Sequence, residues 1–132
     1  MDGAKVQQQG SVAEAFLRSL KRRGIDYVLA NAGTDFAPVI EGLVALAGRG
    51  EPMPTFLTIP HENLAVAMAH GYYQVAGKPA AVMVHVTVGT GNTVCALMNA
   101  ARDNVPMLLA AGRTHDMKIA SRRVPNEKDV LL

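Results

Sequence analysis

A chain of 132 residues, 49% hydrophobic and 18% charged, is long enough for one core but not two, and its composition excludes disorder over most of its length. Thirteen basic against eleven acidic residues give a net charge of +2, too balanced for a nucleic-acid footprint, and three Phe, three Tyr and no Trp leave little for base stacking. The N-terminus lacks the apolar core of a signal peptide, and no apolar run nears the roughly 18 residues that span a bilayer, so a cytoplasmic domain is expected.

Residues 1–10 are polar and rich in Gly and Gln, a flexible tail ahead of a domain expected over 11–132. Ser11 can cap a helix whose apolar positions Val12, Ala15, Phe16 and Leu20 keep helical spacing. Arg18, Lys21, Arg22 and Arg23 then form a solvated basic end that complements the helix dipole, and Gly24 stops it. Residues 25–30 read as a short apolar strand, cut by Asn31-Ala-Gly-Thr34. A second helix follows, with Phe36, Val39, Ile40, Leu43, Val44 and Leu46 as its inward stripe. Residues 55–59 are the next strand. Pro60 closes it, and an Ala-rich helix starts with Glu62 in its first turn and runs to about Ala76.

Gly77-Lys78-Pro79 is a turn. The Val-rich run 80–86 fits a central strand buried on both faces. Gly89-Thr-Gly-Asn92 turns the chain into a helix with Val94, Leu97, Met98 and Ala101 inward, and Cys95 in that apolar pattern reads as a small buried thiol. Residues 105–111 are a further strand, closed by Gly112. Strand and helix alternate with short connections, which predicts an α/β fold: an open parallel sheet with helices on both faces. Residues 113–129 are basic and poor in apolar groups, a surface excursion. Residues 126–132 then resemble a helix start that stops within a turn, too short to be stable alone. The sequence is therefore expected to be C-terminally truncated, a piece of something longer.

In open α/β sheets ligands bind beyond the carboxyl ends of the strands. Three loops leave such ends, and they should gather Gly33, Glu62 and the Gly89 turn although these lie far apart in sequence. Glu62 has two readings: an acid complementing a helix dipole, or a carboxyl that burial lets hold and hand on a proton. The Gly89 turn invites a dinucleotide reading, but Val94 stands in place of the third glycine and no acid follows at the expected distance. A tight turn needing small residues is the simpler account. His85 reads first as a hydrogen-bonded core histidine. His61, His70 and His115 show no metal-ligand spacing, and Met53, Met68, Met83, Met98, Met107 and Met117 read mostly as core filler.

Several segments nonetheless occur together and in order: Asn31-Ala-Gly-Thr34; His61-Glu62 with Gly71-Tyr72 and Gly77-Lys78-Pro79; Gly89-Thr-Gly-Asn92; Asp103-Asn-Val-Pro106 and Gly112. Their spacing resembles the N-terminal, pyrimidine-binding domain of thiamine-diphosphate-dependent enzymes, the acetolactate synthase, pyruvate oxidase and 2-oxo-acid decarboxylase group. His85 ahead of the Gly89 segment, with Ala96-Leu-Met-Asn-Ala-Ala101, looks most like benzoylformate decarboxylase.

The resemblance implies that Glu62 hydrogen-bonds N1′ of the cofactor's aminopyrimidine and so activates it. It implies that Gly33, Thr87 and Asn92 line the cofactor, that His85 faces the substrate and transfers protons, and that Thr34 contacts the substrate carboxylate. It assigns the cofactor's diphosphate and Mg²⁺ to another domain, through a Gly-Asp-Gly…Asn pattern missing from this sequence. The partner is then the remainder of a longer chain or a separate subunit, in a homodimer or homotetramer acting on a 2-oxo acid as decarboxylase or carboligase. Ala32 departs from the proline common at that position. A rival reading is a non-catalytic α/β binding or assembly module of the same ancestry.

Overall fold

The computed structural model describes residues 10–113. The tail before them, and the basic excursion and helix start expected after residue 113, with His115 and Met117, lie outside the described residues. The Ser11 hydroxyl accepts from the Glu14 N–H while the Glu14 carboxylate accepts from the Ser11 N–H. This reciprocal cap opens α1, Val12–Arg22. β1 is Tyr27–Asn31. A single 3-10 turn, Thr34–Phe36, leads into α2, Ala37–Gly48. After β2, Thr55–Thr58, comes α3, Glu62–Ala76, which ends where Gly77 adopts φ +66°, a left-handed conformation that glycine takes without penalty. β3 is Ala81–Val84, α4 Val86–Asn92, α5 Val94–Arg102 and β4 Leu108–Ala111.

The four strands form one parallel sheet in the order β2-β1-β3-β4. Side chains alternate across it. Val28, Ala30, Ala81 and Met83 face Leu17 and Leu20 of α1 and Val39 and Leu46 of α2. Leu29, Val82 and Val84 face Ala65, Val66 and Ala69 of α3 and Ala96 of α5. Every residue of β3 is buried, as a central strand covered on both faces requires, and the three-layer α/β/α expectation holds.

Three of the expected stripes hold only in part. In α1, Val12 and Ala15 are exposed, while Leu20 is buried beside Leu17 and Phe16 packs against the core. In α2, Ile40 and Val44 are exposed, and the buried positions are Val39, Gly42 and Leu46. Gly42 lets α2 approach α1 closely: a Cβ there would lie 3.2 Å from Leu17 Cδ1 and 3.3 Å from the Glu14 backbone nitrogen. In α5 the inward residues are Ala96 and Ala100, while Val94, Met98, Ala101 and Cys95 are exposed. The reading of Cys95 as a buried thiol is thus corrected. Small alanines, rather than the larger apolar residues, let α5 lie against α3. Met68 and Met98 are likewise exposed, whereas Met83 is buried in the core and Met53 and Met107 pack against it, so core filler describes three of these five methionines.

Part of the basic end of α1 is paired rather than merely solvated. Arg18 donates to Glu51, which also accepts from Arg49, and Lys21 and Lys78 both donate to Asp26. Hydrogen bonds from Arg18 and Arg49 lower Glu51 from 4.5 to about 2, and those from Lys21 and Lys78 lower Asp26 from 3.8 to about 2. Both carboxylates titrate lower in the folded chain than unfolded. Their stabilisation is therefore complete above about pH 4.5 and is lost as pH falls toward 2. Glu51→Gln is expected to lower the urea midpoint at neutral pH, with the gap to the parent closing across that window. A gap that stays constant from pH 7 to pH 2.5 would contradict the assignment.

Candidate active site

The chain leaves β1 for β2 on one side and returns from β2 to β3 on the other. The switch point therefore falls between β1 and β3, and a crevice opens beyond their carboxyl ends. The loops after β1, β2 and β3 all reach this edge, bringing together residues 31–35, 60–62 and 85–87.

Glu62 stands at the first position of α3. The His61 ring caps that helix by accepting from the Asn63 N–H at 3.1 Å, so the backbone donor next to the acid is engaged by the cap. The Glu62 side chain is only 13% exposed. Its Oε2 accepts from Asn92 Nδ2 at 3.1 Å, with His61 Nδ1 3.9 Å away. Its Oε1 makes no hydrogen bond among the described residues, and neither lysine nor arginine among them pairs with the acid. A Cβ on Gly89 would lie 3.4 Å from that free oxygen.

The next residue fixes the helix opposite. Asn63 Oδ1 accepts from the Ala96 N–H in the first turn of α5, at 3.0 Å. Asn63→Ala leaves that donor without its partner and is expected to cost about 1–3 kcal/mol. Asn63→Asp keeps an acceptor, and adds a charge favoured at a helix N-terminus, so it should cost much less. Equal losses for the two variants in urea titrations would rule the contact out as the source.

β3 ends at Val84, and the chain reverses within two residues. Val86 has φ +34°, a strained conformation for a β-branched residue, and α4 begins there at once. The expected Gly89-Thr-Gly-Asn92 turn is therefore helix. The Gly89 N–H bonds the His85 carbonyl at 3.0 Å, Thr90 Oγ1 donates to the Val86 carbonyl, and Thr93 Oγ1 donates to the Thr90 carbonyl. Glycine at 89 allows a close approach, since a Cβ there would sit 3.2 Å from Val84 Cβ and 3.4 Å from Glu62 Oε1.

His85 lies one residue past the strand. Its ring is 33% exposed, and Nδ1 is 2.7 Å from Asp35 Oδ1. It is hydrogen-bonded as a core histidine would be, but at the open edge rather than in the core. Gly33 lies directly beneath it, where a Cβ would come 2.2 Å from the ring. Thr87 is half-buried and lines a shallow recess with Val86, Thr90, Gly91, Val94 and Gly112.

The expected site residues thus fall into two adjoining groups, Glu62 with Asn92 and Gly89, and His85 with Gly33. Asn92 holds Glu62 directly. Thr34 is exposed and makes no side-chain hydrogen bond among the described residues. Asp35 and Asn63 were not singled out from sequence. The available signals were an acid beside the Gly-Thr of a strand-end loop and an amide following Glu62. His70 pairs with Asp103 and Gln74, away from the edge loops. Among the described residues no group of three or more His, Cys, Asp or Glu could hold a metal ion, and no helix is long and apolar enough to cross a membrane.

The family model described as "Thiamine pyrophosphate enzyme, N-terminal TPP binding domain" matches residues 10–129. The chain belongs to this family. It is 32% identical over 103 residues to benzoylformate decarboxylase of Pseudomonas aeruginosa, covering 78% of this chain and 18% of that protein. It is 30% identical over 111 residues to the acetolactate synthase large subunit of Haemophilus influenzae, covering 84% of this chain and again 18% of the relative. The thiamine diphosphate-dependent 4-hydroxybenzoylformate decarboxylase of Rhodococcus jostii superposes with a TM-score of 0.67 at 28% identity, over 84% of this chain and 20% of that one. The chain therefore spans less than a fifth of the length of these curated relatives.

The residues at the edge fit the pyrimidine half of thiamine diphosphate. A largely buried carboxyl keeps one oxygen unpaired among the described residues, faces a helix whose glycine leaves space beside it, and is held in place by an amide. An acid serving only the helix dipole would need none of these.

Proposed function

We propose that this chain is the pyrimidine-binding portion of a thiamine-diphosphate-dependent decarboxylase or carboligase of 2-oxo acids, with Glu62 as the residue that activates the cofactor. The observation that carries the reading is the position of the Glu62 carboxyl at the sheet's ligand edge, 13% exposed, with Oε2 held by Asn92 and Oε1 unpaired among the described residues. When bound, thiamine diphosphate supplies an electron sink for the carbanion that loss of CO₂ leaves behind.

The chain's own part is placement and proton handling. Glu62 Oε1 shares a proton with the pyrimidine N1′, while Asn92 holds the other oxygen and so fixes the carboxyl plane. Gly33, Thr87 and Asn92 shape the walls of the pyrimidine site. His85 moves a proton at the substrate, and Thr34, exposed on the 3-10 turn, reaches the substrate carboxylate.

Mg²⁺ and the diphosphate belong to a partner domain, in the same longer chain or on a separate subunit, within a homodimer or homotetramer. Without that partner the chain is inactive. The test is CO₂ release from a 2-oxo acid by the chain joined to a diphosphate-binding domain, with thiamine diphosphate and Mg²⁺, comparing the parent with Glu62→Gln. Calorimetry separates the rival: a docking module gives no cofactor-dependent heat in the same assembly.

A further inference from the structure

The site holds a second carboxylate in addition to Glu62, on a different loop and in contact with a different group. Asp35 sits in the middle of the Thr34–Phe36 turn. That turn is closed by the Phe36 N–H to the Gly33 carbonyl and anchored by Phe36, which is 2% exposed within the α1/α2 core. Asp35 is thus set on rigid backbone. Its Oδ1 lies 2.7 Å from His85 Nδ1, and its side chain is 16% exposed. Its Oδ2 is buried with no hydrogen-bond partner among the described residues.

Two glycines make room for this pair. A Cβ on Gly33 would come within 2.2 Å of His85 Cγ and 2.3 Å of Nδ1. A Cβ on Gly112, just past the end of β4, would come within 1.9 Å of Asp35 Oδ2. Three segments distant in sequence therefore converge on one histidine–aspartate contact. An ordinary ion pair on the rim would engage both carboxylate oxygens or leave them to water. Here one oxygen is enclosed and unpaired among the described residues, and the other is given over to the ring.

We propose that Asp35 is the positioning residue of His85: Oδ1 accepts from the ring's Nδ1–H and fixes the tautomer that leaves Nε2 free at the ligand edge. A carboxylate can only accept, so the shared proton resides on Nδ1. Nε2 then takes a proton from the reacting group and later returns it, while Nδ1 keeps its own throughout. The catalytic half of this inference rests on the reading above, in which His85 moves a proton at the substrate; the tautomer itself does not.

The test uses the 132-residue chain labelled with ¹⁵N-histidine, the His85 signals being those that vanish in His85→Gln. The expected result is an Nδ1–H, Nε2-acceptor pattern in the parent, a measurement that needs no substitution. In Asp35→Asn the amide can donate to Nδ1, so the pattern should reverse to Nε2–H. Gly112→Ala should disturb it by displacing the carboxylate. An Nε2–H tautomer in the parent, or an unchanged pattern in Asp35→Asn, overturns the proposal.

In the complete enzyme, Asp35→Asn should lower kcat on the order of 100-fold. Added to His85→Gln it should lower kcat little further, because it acts through that ring. A full further loss in the double variant overturns the positioning role. His85→Gln turning over normally would instead sink the proton-transfer reading of His85, and the tautomer measurement would still decide Asp35.

Discussion

Glu62→Gln should lower the rate of CO₂ release in the complete assembly by at least tenfold, or about 1.4 kcal/mol of transition-state stabilisation. The substitution is nearly isosteric. Its amide oxygen can still accept from Asn92 Nδ2, so α3 and α4 should keep their contact and the fold its melting behaviour. What is lost is a group able to hold and give back a proton at the position of Oε1. Glu62→Asp separates placement from chemistry: it keeps the carboxyl but withdraws it by one methylene from Gly89 and Asn92, so it should also be slow. Asn92→Ala leaves the carboxyl intact but unheld, and its defect should be smaller than that of Glu62→Gln. A tenfold threshold not reached by Glu62→Gln, with cofactor binding verified by calorimetry, removes the proton-relay assignment.

The sheet and its order of elements were legible because each strand is a short run of mostly apolar or β-branched residues near Gly, Pro or Asn, and each crossover is short. The start of α3 was legible to the residue, since Pro60, His61 and Glu62 are local signals. What sequence could not show is how helices rotate when glycine and alanine, rather than Leu or Val, make the contact. Gly42 and Ala96 carry no hydrophobic signal, yet they set which faces of α2 and α5 are buried. The same holds at the site. The Gly89 segment looked like a turn because glycines usually make turns. Here the reversal is made by Val86 at φ +34°, and Gly89 is reserved for close approach to Val84 and Glu62. Glu62 and His85 were singled out through their company in sequence. Asp35 was not, because its significance lies in a contact fifty positions away.

The tight seam between α1 and α2 gives the second large effect. Leu17→Ala should destabilise the chain by about 2–5 kcal/mol, as expected for truncating a leucine that is 0% exposed in the core. Gly42 faces that same side chain, its absent Cβ falling 3.2 Å from Leu17 Cδ1. Gly42→Ala alone gains about 1 kcal/mol of helix propensity. It also presses a methyl against Leu17, Ala13 Cβ and the Glu14 backbone, which opposes that gain. In Leu17→Ala the crowding from Leu17 is gone, and the added methyl occupies part of the vacated space. The double variant should therefore be more stable than the sum of the two changes predicts, by a coupling of about 0.5–3 kcal/mol. Urea titrations of the four chains measure it. Strict additivity would mean that the two helices do not meet at Gly42 and Leu17, and the arrangement of the α1/α2 layer that anchors Phe36, and through it the Asp35 turn, would need to be redrawn.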